Sequence, residues 1–136
     1  MRTFALISLA AGLLGACRSR PEKIVETRYP DGRVASVRGY AHGEKEGVHR
    51  GWWPNGVPQF ECGYVKGRAE GTCTEWYDTG HLATVHRYVR GEEEGLQMGW
   101  GPAGEVQFSY SVRNGRRYGL LGAMNCRTGA RAPGAL

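Results

Sequence analysis

The chain has 136 residues, 22 of them glycine, and carries 18 Lys and Arg against 13 Asp and Glu for a net charge of +5. That length holds one domain at most, and each interior glycine costs a helix about 1 kcal/mol relative to alanine, so short strands and turns are expected in place of long helices. The positive charge is small and scattered, which argues against a nucleic-acid partner.

Residues 1–16 read as an export signal, expected as a short N-terminal helix. Arg2 gives a positive start, and Phe4 to Leu14 is an apolar run too short to cross roughly 30 Å of hydrocarbon. The run ends in Leu14-Gly15-Ala16-Cys17, which resembles the lipobox of bacterial lipoproteins. The resemblance implies cleavage before Cys17 and acylation of that cysteine. Two or three acyl chains, at about 0.8 kcal/mol per buried methylene, make a stable anchor in the lipid bilayer. The expected location is the cell envelope, lipid-anchored, with the domain in the periplasm or at the cell surface. Arg18 after the cysteine favours the outer over the inner membrane. Residues 17–26 are polar and contain Pro21, and read as a tether.

From Thr27 to Cys126 the chain is an internal repeat with a step of 24 residues. Gly43, Gly67, Gly91 and Gly115 keep that step, as do Gly47, Gly71, Gly95 and Gly119, and a third series is Gly32, Gly56, Gly80 and Gly104. Tyr40, Tyr64 and Tyr88 follow it, as do Trp52, Trp76 and Trp100, and Tyr29, Trp53 and Tyr77. The third glycine series marks tight turns such as Pro54-Asn55-Gly56, because glycine takes positive φ without steric cost. The paired series, as in Gly67 to Gly71, brackets three residues and predicts a slightly longer hairpin loop. Segments of strand length lie between. The expected fold is all-β: a single-layer, elongated antiparallel β-meander of about eight strands and four 24-residue hairpin repeats. The last repeat has decayed, with Val112, Met124 and Asn125 in place of aromatics, as a terminal cap would. Residues 127–136 read as a disordered tail.

Alternation along the strands groups Phe60, Cys62, Tyr64, Leu82, Tyr88, Val106, Phe108 and Tyr110 with Val48, Trp52, Trp76, Leu96, Met98, Trp100, Leu120 and Met124 on one apolar face. Gln59, Glu61, Glu75, Arg87, Gln97, Gln107 and Arg113 are expected on a wet face. The spacing of aromatics, Gly-x-x-x-Gly, a Trp/Tyr pair and Asn/Asp-Gly resembles the MORN-type repeat, in the bacterial variant found in YwqK-family antitoxins. That resemblance implies a twisted antiparallel sheet serving as a scaffold or binding surface, without catalytic residues.

Cys62 and Cys73 sit almost symmetrically about a hairpin loop, which invites a disulfide, whereas their parity sets them on opposite faces. A one-residue change of register would reverse that. With Cys17 acylated, Cys126 is left over. His42, His49, His81 and His86 lack zinc-ligand spacing and read as surface residues, and no metal or cofactor is expected. No nucleophile motif or phosphate loop is present, so an enzyme is not expected. Glu92, Glu93 and Glu94 read as a solvated charge run. Candidate binding residues are Tyr29, Trp53 and Tyr77, as an exposed aromatic strip, and Arg113, Arg116 and Arg117, as a basic end. The function expected is a membrane-anchored, non-catalytic scaffold that binds another envelope protein or a polysaccharide. The alternative is an antitoxin or immunity-type inhibitor of a toxin partner.

Overall fold

The computed structural model describes residues 20–120; the signal at 1–16, Cys17, Met124, Cys126 and the tail at 127–136 lie outside them. The described residues form one open antiparallel sheet of successive hairpins, as expected. Its main path runs β1 (Lys23–Arg28), β2 (Val34–Ala41), β4 (Gly47–Trp52), β5 (Pro58–Val65), β7 (Gly71–Trp76), β8 (Leu82–Val89), β10 (Gly95–Trp100), β11 (Val106–Arg113) and β12 (Arg116–Leu120). Three two-residue pieces, β3 (Glu44–Lys45), β6 (Arg68–Ala69) and β9 (Glu92–Glu93), pair beside β2, β5 and β8. The sheet starts at Lys23, inside the segment read as a tether. Residues 23–28 stand one repeat before β4, and pairing with β2 satisfies their backbone.

Two kinds of reversal alternate. At Trp53 to Val57 the Gly56 amide donates to the Trp53 carbonyl and the Trp53 amide to the Val57 carbonyl, both at 2.8 Å. The register shifts beside this turn, so it is a four-residue turn closed by a glycine bulge, repeated at Tyr29, Tyr77 and Gly101. The other reversal is tighter than expected. Lys66 and Gly67 both have positive φ, 48° and 77°, and Val65 pairs with Arg68, which makes a two-residue turn of the I′ kind. His42-Gly43, Arg90-Gly91 and Asn114-Gly115 repeat those angles. The second glycine of each pair, as at Gly71, lies beyond the turn, where its own positive φ returns the chain to the sheet.

The one-residue register shift beside each four-residue turn overturns the expected faces. Gly51 pairs with Phe60 and His49 with Cys62, so Val48 and Phe60 lie on opposite faces. One face carries Phe60, Cys62, Tyr64, Tyr88, Phe108, Tyr110 and Val112, together with His49, Glu75, His86 and Gln97. It holds the buried side chains of His49, Cys62, Gln97, Tyr110 and Val112. Gln97 and Glu75, expected on the wet face, belong here, and Gln97 is fully buried. The opposite face carries Val48, Leu96, Met98, Trp100 and Tyr118, where Val48, Leu96 and Tyr118 are exposed.

Adjacent repeats are latched by polar bonds. Tyr29 Oη donates to the Trp52 carbonyl at 2.7 Å, Trp53 Nε1 to the Trp76 carbonyl at 2.9 Å, and Tyr77 Oη to the Trp100 carbonyl at 2.8 Å. Along the other ridge a glutamate in each of three successive repeats accepts the amide of the next left-handed turn residue. Glu22 takes His42 N at 3.2 Å, Glu46 takes Lys66 N at 2.9 Å and Glu70 takes Arg90 N at 2.6 Å. Stability therefore accrues between nearest neighbours.

Candidate functional site

The buried face has a central lane in which each residue pairs with the next across strands. It runs His49, Cys62, Cys73, His86, Gln97, Tyr110. His49 pairs with Cys62 and Cys73 with His86, and Gln97 pairs with Tyr110. Cys62 and Cys73 close the middle of the lane as a disulfide, with Cα atoms 4.2 Å apart. The parity argument against this bridge fails because β5 and β7 pair Phe60 with Glu75, which sets Cys62 opposite Cys73.

Beside the lane runs a row whose members differ between repeats. Gly51 faces Phe60 and Gly99 faces Phe108, and each ring lies over its glycine so closely that a Cβ there would stand 2.2 Å from a ring carbon. In the middle repeat the same positions are Glu75 and Thr84, joined by a hydrogen bond from Thr84 Oγ1 to Glu75 Oε2 at 3.2 Å. No ring fills that place. A cleft of about 290 Å³ results, with Cys62, Cys73, His86, Thr84, Tyr64 and Tyr88 among its lining.

The side chains flanking the disulfide are fixed by hydrogen bonds. Gln97 Oε1 accepts from the Arg87 amide at 2.9 Å, and Gln97 Nε2 donates to the Arg87 carbonyl at 3.0 Å, which sets the orientation of the amide. His86 Nδ1, 3.1 Å from that oxygen, is therefore the donor. In the neutral ring its Nε2 keeps the lone pair. Glu93 Oε1 stands 3.8 Å from His86 Nδ1 and accepts from Tyr110 Oη at 3.1 Å, and Arg117 donates to Glu93 Oε2 at 2.9 Å. Burial, helped by Glu93, pushes the Tyr110 hydroxyl above its ordinary pKa. On the far side, His49 Nε2 meets the Gly39 carbonyl at 2.8 Å. Burial holds this ring below the usual histidine value, outweighing the opposing pull of that bond, and the charges of Lys45 and Arg38 add to the lowering.

The sequence-based candidates divide. Tyr29, Trp53 and Tyr77 are half-buried and their polar tips are bonded to the next repeat, so they are latches in place of an exposed strip. Arg113 and Arg116 flank the last turn as a pair, but Arg117 points into the Glu93 and Tyr110 cluster, with its guanidinium 5.1 Å from the Tyr110 ring centre. Of Glu92, Glu93 and Glu94, only Glu92 is exposed. His42 and His81 are surface residues, whereas His49 is buried and His86 half-buried. The lane itself escapes strand-by-strand reading. Stepping by 24 from His49 to Cys73 to Gln97, and from Cys62 to His86 to Tyr110, exposes it. Among the described residues no group of three or more His, Cys, Asp or Glu is placed to hold a metal ion. No helix there is long and apolar enough to cross a membrane.

Set against protein-family models, curated proteins and solved structures, the chain matches none of them.

Proposed function

We propose that this chain is a MORN-type repeat scaffold, anchored in the cell envelope through an acylated Cys17, that binds another envelope protein or a polysaccharide without catalysing a reaction. The observation that carries this reading is the row of exposed apolar side chains on the face opposite the cleft. Ile24 is 64 % exposed, Leu96 52 % and Tyr118 54 %, with Val48 in the same row. Large apolar side chains left in water on a rigid platform favour contact with a partner. The latches between repeats supply the rigidity, so little ordering cost attends binding. The lipobox-like Leu14 to Cys17 supports the anchor.

Two measurements test the reading together. Cys17→Ser should move the protein from the membrane fraction to the soluble one, and an unchanged distribution would remove the anchor. Photo-crosslinkers placed at Leu96 and Tyr118 in intact cells should trap an envelope component that the same probe at Lys66, on a turn, does not. A stoichiometric toxin-like adduct would favour the inhibitor reading instead.

A further inference from the structure

The disulfide lies where the repeat pattern leaves its own face open. If the middle repeat carried glycine and phenylalanine at 75 and 84, a second ring would lie over position 75, as Phe60 and Phe108 lie over Gly51 and Gly99, and would close the cleft that Phe60 now borders on one side. Glu75 and Thr84 leave a cleft there. Cys62 is 8 % exposed, and Cys73 is the more accessible of the two. Each sulfur-bearing residue has an imidazole as its neighbour on the next strand, His49 for Cys62 and His86 for Cys73. The two rings differ in setting. His49 is buried and held toward its neutral form, while His86 opens on the cleft with the Glu93 carboxylate 3.8 Å behind its Nδ1.

We propose that Cys62–Cys73 is a thiol–disulfide exchange site whose substrate is an external dithiol entering by the cleft, with Cys73 as the exchanging sulfur and His86 as the group that stabilises its thiolate. The site lies on the face opposite the one assigned to partner binding and does not depend on that assignment. The reductant's thiolate attacks Cys73 Sγ and forms a mixed disulfide. The Cys62–Cys73 bond breaks, and its electron pair leaves on Cys62 Sγ, which takes a proton from water. The reductant's second thiolate then attacks its own sulfur in the mixed disulfide, and Cys73 departs as a thiolate beside His86. The dithiol loses two electrons and closes its own disulfide, and the protein gains two thiols. Imidazolium neighbours lower a thiol's pKa from about 8.5 and improve it as a leaving group.

The full-length oxidised protein is mixed with dithiothreitol at neutral pH, quenched by alkylation at intervals and read by mass spectrometry, with a parallel series in guanidinium. The folded protein should be reduced at a rate within about tenfold of the unfolded one. A purely structural bridge reacts only through opening, orders of magnitude more slowly, and that result would overturn the proposal. Once reduced, Cys73 should alkylate before Cys62, with a pH midpoint below about 8.5 that rises in His86→Gln. Equal reactivity of the two thiols, or a midpoint that His86→Gln leaves in place, would remove the role of His86. The double variant Glu75→Gly/Thr84→Phe restores the pairing of the neighbouring repeats and should slow reduction of the folded protein at least about tenfold by covering the cleft. Unchanged reduction in that variant would show that the dithiol does not enter there.

Discussion

His49 and Gln97 stand two repeats apart in the same column and are structurally equivalent. Each fills the buried face and reaches a backbone carbonyl on the strand before it, Gly39 for His49 and Arg87 for Gln97. The positions of those carbonyls are themselves two repeats apart. One residue can therefore stand in for the other without disturbing the sheet, and only one of them titrates.

That equivalence gives a pH prediction. Burial lowers the pKa of His49 below 6.5 in the folded protein, so as pH falls through that value the unfolded chain takes a proton that the folded chain declines. Stability should be fullest above about pH 6.5, decline below it, and level off once the folded ring is protonated too. Melting temperatures compared from about pH 7.5 to 5 should show this decline in the native protein and a flatter profile in His49→Gln. Parallel profiles would show that His49 is not the group responsible.

Gly99 and Phe108 should be coupled. A Cβ at 99 would lie 2.2 Å from the Phe108 ring, so Gly99→Ala should cost roughly 1–3 kcal/mol by overpacking. In a Phe108→Ala background the same change should cost little, and a denaturation double-mutant cycle reads the difference directly.

His42, Lys66 and Arg90 adopt the left-handed conformation, with φ of 51°, 48° and 53°, at a position where Asn114 stands in the last repeat. Asparagine tolerates that region better than longer side chains. Lys66→Asn and Arg90→Asn should each stabilise by roughly 0.5–1 kcal/mol and add independently, since the amides bonded to Glu46 and Glu70 are retained. Chemical denaturation of the single and double variants checks both statements.

Removing the bridge should destabilise the sheet through the unfolded chain. Cys62 and Cys73 are 11 residues apart, and closing a loop of that size is worth about 3 kcal/mol. Cys62→Ala/Cys73→Ala should lower unfolding free energy by roughly that amount and leave the far-ultraviolet spectrum that of a sheet.

The fold is readable from the glycines because positive φ is a backbone demand, and it leaves the same mark at each reversal whatever the side chains around it. The faces are not readable in the same way. Alternation assumes an unbroken register, and the one-residue bulge beside each four-residue turn, as between Gly51 and Trp52 or Gly99 and Trp100, breaks it, which is why alternation groups Val48 with Phe60 and places Gln97 in water. Tyr29, Trp53 and Tyr77 are visible as a series, but a series of aromatics does not reveal that their hydroxyl and indole groups are bonded to the next repeat. The glutamates at 22, 46 and 70 share the period too, and they read as surface charge until the amides of His42, Lys66 and Arg90 are seen beside them. The cleft is the least legible feature, because it arises from what the middle repeat omits.

The tyrosine, indole and glutamate bonds all reach one period forward along the chain, and none skips a unit. A protein held in this way can change length by whole units, through duplication or loss of a 24-residue stretch of gene, because each newcomer arrives carrying half of both joints it must make. The divergent middle unit is then free to specialise while its neighbours keep the frame.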